Sequence, residues 1–273
     1  MNRLGLMKLG MILACTGLLY APVIEKLVYD WINLPDFSHG FLIPIISFYF
    51  VYAKRKQLAN VSVSGQWMGL GLMVSGILLN LIGNLANEYF TTRFSFLVVI
   101  GGVILFILGK DFYKILQFPL IFLVFMIPIP SILMDQVSFP MQLFASKVAA
   151  KSLDMIGIPV LREGNIIQLA NTSLEVAEAC SGIRSLMSLL TISVLLAYFG
   201  QSRFPKRVLL VVSAFPVAIV ANAARVTGTG VLAYYYGNAA AEGFFHGFSS
   251  WIIFVVGLIC LYVIGTVLSK IKI

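Results

Sequence analysis

Three short blocks in this 273-residue chain hold residue types that do not belong in apolar surroundings. Glu178-Ala179-Cys180-Ser181-Gly182-Ile183-Arg184 opens one apolar run, Asn222-Ala223-Ala224-Arg225-Val226 stands near the end of the next, and Phe245-His246-Gly247 heads the last. Together a thiol, a guanidinium and an imidazole suit nucleophilic acyl transfer. A free thiol of pKa about 8.5 is only about 3% thiolate at pH 7, and a pKa near 6 makes it about 90% thiolate. A helix N-terminus and a nearby cation both act in that direction. His246, near 6.5 when unperturbed, can exchange a proton with a leaving amine. Arg225 stays protonated, which leaves it the oxyanion or the thiolate to stabilise. Arg184, four residues after Cys180, falls on the same face if both are helical. Taken singly, each residue has an ordinary explanation. A lone membrane cysteine is a small hydrophobe, an interfacial histidine is solvated, Arg184 has Glu175 and Glu178 to pair with, and Arg225 can anchor a helix end. Only their convergence would make a site.

The elements that must bring them together are membrane spans. Sixty percent of the residues are hydrophobic, 11% are charged, and the mean hydropathy is +0.97. Soluble domains run at about 45–50% apolar and about 25% charged, and disorder requires low hydrophobicity. The net charge of +8 is not a nucleic-acid footprint, because the basic residues punctuate apolar runs instead of lining a face. Apolar stretches at 6–24, 40–53, 66–84, 94–109, 114–134, 180–199, 207–227 and 247–269 lead us to expect an all-α integral membrane protein of about eight spans. It is read as one polytopic domain over 1–273 with an extracytoplasmic insert at 135–179. The basic-flanked N-terminal run lacks a small-x-small cleavage site and reads as the first span, not as a signal peptide. The chain ends just after the eighth run, with no appended domain expected.

Counting Lys and Arg in the connections puts 12 of the 19 on the side of both termini, against Lys26, Arg93, Lys147, Lys151 and Arg162 opposite. That bias sets both termini in the cytoplasm. Ten of the 11 acidic residues fall outside, Asp111 being the exception. In this topology Cys180, Arg225 and His246 lie at one depth near the outer boundary, a coincidence not used to set the orientation. Within the insert, Met141, Phe144, Val148 and Leu153 predict an interfacial amphipathic helix over Ser138–Ile156. The alternation from Val160 to Ala177, with turn residues at Glu163-Gly164-Asn165 and Ala170-Asn171-Thr172, predicts a short β-hairpin leading to Cys180. Asn171-Thr172-Ser173 is a chance sequon. Cys15 and Cys260 sit in apolar runs, so three cysteines imply no disulfide framework.

The three blocks, with Leu34-Pro35-Asp36-Phe37-Ser38-His39-Gly40-Phe41-Leu42-Ile43-Pro44, resemble the signatures of the exosortase/archaeosortase family, in order and over nearly the whole chain. His246, where archaeosortases have arginine, resembles the bacterial exosortase branch. The resemblance implies a multipass inner-membrane cysteine protease or transpeptidase with Cys180 as nucleophile, Arg225 as essential arginine and His246 as third member. It implies no cofactor, and substrates that are exported proteins ending in a Pro-Glu-Pro-type motif, a membrane helix and a basic tail. Asn222, one turn before Arg225, is expected to orient it or the scissile carbonyl. Arg184, Glu178 and His39, in a loop feeding the second span, are expected to position substrate or support the site. Two other readings differ in kind. One is a transporter or assembly factor for exported polysaccharide, disfavoured because the unusual residues cluster at a boundary and not at the midplane. The other is a metal site of Cys180, His246 and Glu242, which lacks helical ligand spacing.

Overall fold

The computed structural model describes residues 3–176, 182–237 and 244–271, with the backbone alone at 3–9 and 244–250. Helices dominate: α1 Arg3–Asn33, α2 Leu42–Ala53, α3 Arg55–Ala59, α4 Met68–Leu85, α5 Tyr89–Ile107, α6 Lys110–Phe122, α7 Ser131–Met155, α8 Ile183–Gly200, α9 Phe204–Tyr236 and α10 Phe244–Lys270. Seven of the described segments are long and apolar enough to cross a membrane, or up to eight if one bent pair counts as a single span. The chain is therefore an all-α multipass membrane protein with a small sheet. It divides into two compact units, Met1–Pro130 and Ser131–Ile273.

In the first unit the short apolar run at 40–53 gains length from a 3-10 segment, Pro35–Phe41, which brings the apolar segment to Pro35–Ala53. Gly40 is needed there, since a Cβ would lie 2.3 Å from Nε1 of the Trp31 indole. Helices α4 and α5 form a close hairpin because Gly69, Gly76 and Gly83, at heptad spacing, lie against Phe106, Val99 and Thr92. Small residues let membrane helices approach this way where the hydrophobic effect gives no drive.

The run at 114–134 is not one helix, contrary to the expectation from hydropathy. α6 stops at Phe122, a 3-10 turn covers Leu123–Met126, and Ile127 is extended before Pro128. Proline removes an amide donor and pushes the preceding residue out of the helical region. Pro119 is tolerated inside α6 because other groups serve the backbone it disturbs. Lys54 Nζ donates to the Ile115 carbonyl at 3.0 Å, the acceptor whose helical donor Pro119 lacks, and Ser47 Oγ donates to Pro119 O at 2.9 Å.

In the second unit α7 begins at Ser131, seven residues before the amphipathic helix expected over Ser138–Ile156. Its buried stripe is Met141, Ala145, Ala149 and Leu153 at i+4 spacing, while Phe144 is exposed and Val148 half-buried. Both expected turns form. They make three antiparallel strands, β1 Val160–Glu163, β2 Ile166–Leu169 and β3 Ser173–Glu175, with Glu163 opposite Ile166 and Gln168 opposite Ser173. The sheet is tied to α7 by Ser146 Oγ donating to Gly164 O at 2.9 Å.

Helices α8, α9 and α10 pack on one another around Leu189, Leu210, Ala214, Ala218 and Leu261. The end near the α8–α9 turn is stitched by two polar side chains. Gln201 Nε2 donates to Gly265 O and Lys206 Nζ to Ile271 O, each at 2.6 Å. α9 exceeds the apolar run 207–227 that announced it. Its 33 residues span about 50 Å against a hydrocarbon core of about 30 Å. Around and beyond the end of that run, Val226 and Ala233 share a buried cluster with Leu153 of α7, Ile167 and Leu169 of β2, and Ile158 and Val176 beside the sheet.

Candidate active site

A close contact between two of the sequence blocks joins Gly182 to Asn222. A Cβ on Gly182 would stand 2.7 Å from Asn222 Cγ and 2.8 Å from its Cβ, and Gly182 itself has φ +80. Only glycine adopts that left-handed conformation readily while leaving room for the amide. α8 therefore starts at Ile183, with Gly182 as its N-cap. The expected i,i+4 relation of Cys180 to Arg184 involves a residue outside the described ones. Arg184, second in α8, is exposed.

Asn222 is 3% exposed and Arg225 6% exposed, both on the face of α9 that is covered by protein. Arg225 comes 21 residues after Phe204, a rise of about 32 Å along α9, comparable with the about 30 Å thickness of a hydrocarbon core. An arginine costs most at the bilayer centre.

The third block can be placed by height. Gly257 of α10 packs on Leu189 of α8. Leu189 lies seven residues from Gly182, a rise of about 10 Å, and His246 lies eleven residues from Gly257, a rise of about 16 Å. The backbone of His246 thus stands about one turn beyond the level of Gly182. Arg225, three residues past Asn222, stands about one turn beyond that level as well. Three helices bring the glycine, the buried asparagine and arginine, and the histidine backbone to the same end of one bundle.

Val176, the last residue before the 177–181 stretch, is buried in the same cluster as Val226, the neighbour of Arg225. Gly182, the first residue after that stretch, rests on Asn222. The later flank of 177–181 thus rests on α9 one turn from Arg225, and the earlier flank belongs to the buried cluster that includes Val226 and Ala233. Cys180 and Glu178, together with Glu242, lie outside the described residues, and so does the His246 side chain.

His39 belongs to the first unit. It is half-buried in the 3-10 segment, with the backbone carbonyls of Asp36 and Phe125 beside its imidazole and the Phe37 ring 6.3 Å away. Trp31 fixes the neighbouring turn by donating from Nε1 to Met126 O at 2.8 Å. The sequence reading passed over Gly182 as a positioning residue, although a glycine two places after the cysteine and before an apolar run was a legible helix-start signal.

A family model for the transmembrane exosortases matches residues 31–263. No curated protein and no solved structure matches the chain. The matched stretch runs from Trp31 through all three blocks and covers well over half of the sequence, so the chain belongs to the transmembrane exosortase family.

Proposed function

We propose that this protein is a membrane-embedded cysteine endopeptidase that cleaves the C-terminal sorting signal of exported proteins, with Cys180, Arg225 and His246 as its catalytic residues. The substrates are exported proteins bearing a Pro-Glu-Pro-type motif, an apolar span and a basic tail. The protein sits in the bacterial inner membrane with both termini in the cytoplasm and the site facing the periplasm. The observation that carries the reading is the seating of Gly182 on Asn222. Two peptide units reach no more than about 7 Å, so the cysteine two residues before Gly182 cannot be far from the helix that holds buried Arg225.

The chemistry follows from those roles. The Cys180 thiolate adds to the scissile carbonyl carbon, and the developing oxyanion is met by the Arg225 guanidinium, which keeps its own proton throughout. The C–N bond breaks as the imidazolium of His246 gives its proton to the departing amine, leaving a thioester on Cys180 and a neutral imidazole. That imidazole then takes a proton from water, or from an acceptor amine, as it attacks the thioester, and the thiolate is released. Arg184, exposed on the first turn of α8, and Glu178 approach the substrate from the same end. Asn222 seats Gly182 and supports Arg225. His39 serves substrate positioning, not proton transfer.

The experiment is processing of an epitope-tagged substrate in membranes by the wild type and by Cys180→Ala, Arg225→Ala and His246→Ala. Each variant is expected to accumulate to wild-type levels and to leave the precursor uncleaved. Normal processing by Cys180→Ala ends the proposal.

A further inference from the structure

The first unit contains a slot that the proposed chemistry does not use. It has a volume of about 490 Å³ and lies between α1, α2, α5 and α6. Leu27 and Trp31 line it from α1, Pro44 and Val51 from α2, and Ile100 and Ile104 from α5. Its polar groups are already engaged. Ser47 donates to Pro119 O, and the Trp31 indole N–H donates to Met126 O. An occupant therefore meets hydrocarbon alone and must bring no hydrogen-bonding group into the slot. The lining on α2 and α5 covers about 10–12 Å of helix axis. Extended hydrocarbon chains suit a slot of that length and lining.

The two ends of the slot differ in charge. At the Trp31 end the 3-10 turns close over it, and the nearby ionic residues are Asp36 and the Asp30–Arg93 pair. At the Val51 end stand Lys54, Arg55 and Lys56, with Lys110 and Lys114 on α6. Lys54 Nζ lies on the carbonyl of Ile115, next to Lys114, so the α2 and α6 cations are drawn together at that mouth. Asp111, 4.0 Å from Lys114 with both side chains largely exposed, is the one acidic residue among them.

We infer that this slot is a phospholipid site, in which the acyl chains lie between α1, α2, α5 and α6 and the Lys54–Lys56 and Lys110–Lys114 cluster holds an anionic headgroup. An apolar slot alone would accept any tail, and a basic rim alone would attract any anionic surface. Their juxtaposition selects a lipid that carries both.

The test is native mass spectrometry of the full chain released from nanodiscs of equimolar phosphatidylglycerol and phosphatidylcholine, counting lipids that survive delipidation. The wild type is expected to retain one lipid, with phosphatidylglycerol favoured at least fivefold. Filling the slot by Ile100→Phe with Leu120→Phe is expected to abolish retention. The exposed triple change Arg55→Gln, Lys110→Gln and Lys114→Gln is expected to keep a bound lipid but reduce the preference below twofold. Equal retention of the two lipids by the wild type overturns the inference. So does retention unchanged by filling, or a preference unchanged in the triple variant, which decides alone if the filled protein does not accumulate.

Discussion

Gly182 and Asn222 touch across the α8–α9 interface so closely that no side chain fits between them. One residue has a left-handed backbone, and the other is almost fully buried. That pair fixes where the chain leaves the sheet region and enters α8. Replacing Gly182 by alanine adds about 1–2 kcal/mol for the left-handed backbone and a clash with the Asn222 side chain. Gly182→Ala is expected to cut substrate processing at least tenfold while membrane levels stay within twofold, read by immunoblot of precursor and product. Asn222→Ala with Gly182→Ala is expected to recover part of the loss, since it removes Asn222 Cγ and Nδ2 and leaves only the contact with Cβ. Asn222→Ala alone removes the support of Arg225 and lowers processing without creating the clash.

Arg225 is expected to be replaceable by nothing else. A guanidinium offers a planar set of five donors, and an ammonium is a compact, strongly hydrated charge. Losing one oxyanion donor costs about 10²–10³ in kcat. Arg225→Gln and Arg225→Lys should both fall by that order in single-turnover cleavage, with lysine recovering less than tenfold. Full activity of the lysine variant would reduce Arg225 to a simple counter-charge.

The first unit carries a buried ion pair, Arg93 to Asp30 at 2.6 Å, with the arginine side chain 6% exposed. Removing one partner leaves an uncompensated buried charge, worth about 3–5 kcal/mol, whereas replacing both with apolar groups is often neutral. Asp30→Asn should lower the thermal midpoint in detergent sharply, and Asp30→Leu with Arg93→Met should restore most of it.

Glu88 caps α5, accepting the Phe90 and Thr91 amides at 2.9 and 2.6 Å. Burial pulls its carboxyl pKa upward. Hydrogen bonds from Thr91 and Phe90, with the charge of Arg93, outweigh that and hold it below its ordinary value. A lowered folded pKa means the stabilisation is complete above the ordinary carboxylate pKa, about 4.3, and disappears as pH falls through the folded pKa. Glu88→Ala should therefore destabilise by about 1 kcal/mol at pH 7. The gap between variant and wild type in thermal melts should close on acidification below about pH 4.

Most of the architecture could be read before any coordinates, because a membrane span needs only length and apolarity. The failures share a cause. Hydropathy does not register proline geometry, so 114–134, although interrupted by Pro119, Pro128 and Pro130, was expected to continue as one span, and it gives no guide to where a helix outlasts its apolar run. α9 runs past its apolar stretch, where Ala233 shares a buried cluster with Leu153 of α7 and Ile167 and Leu169 of β2. Of the candidate site, the sequence offered residue types expected at one depth. It did not show the tightness of Gly182 against Asn222, since that depends on two helices meeting at a particular register.

The proposed cleavage passes through a thioester at Cys180. Purified protein incubated with a substrate carrying the sorting tail, quenched in acid and examined by intact mass and peptide mapping, tests it most directly. The expected result is an adduct of the substrate's N-terminal fragment on Cys180 that neutral hydroxylamine removes and that Cys180→Ala abolishes along with cleavage. Cleavage at an undiminished rate by Cys180→Ala, with no adduct on the wild type, would contradict it.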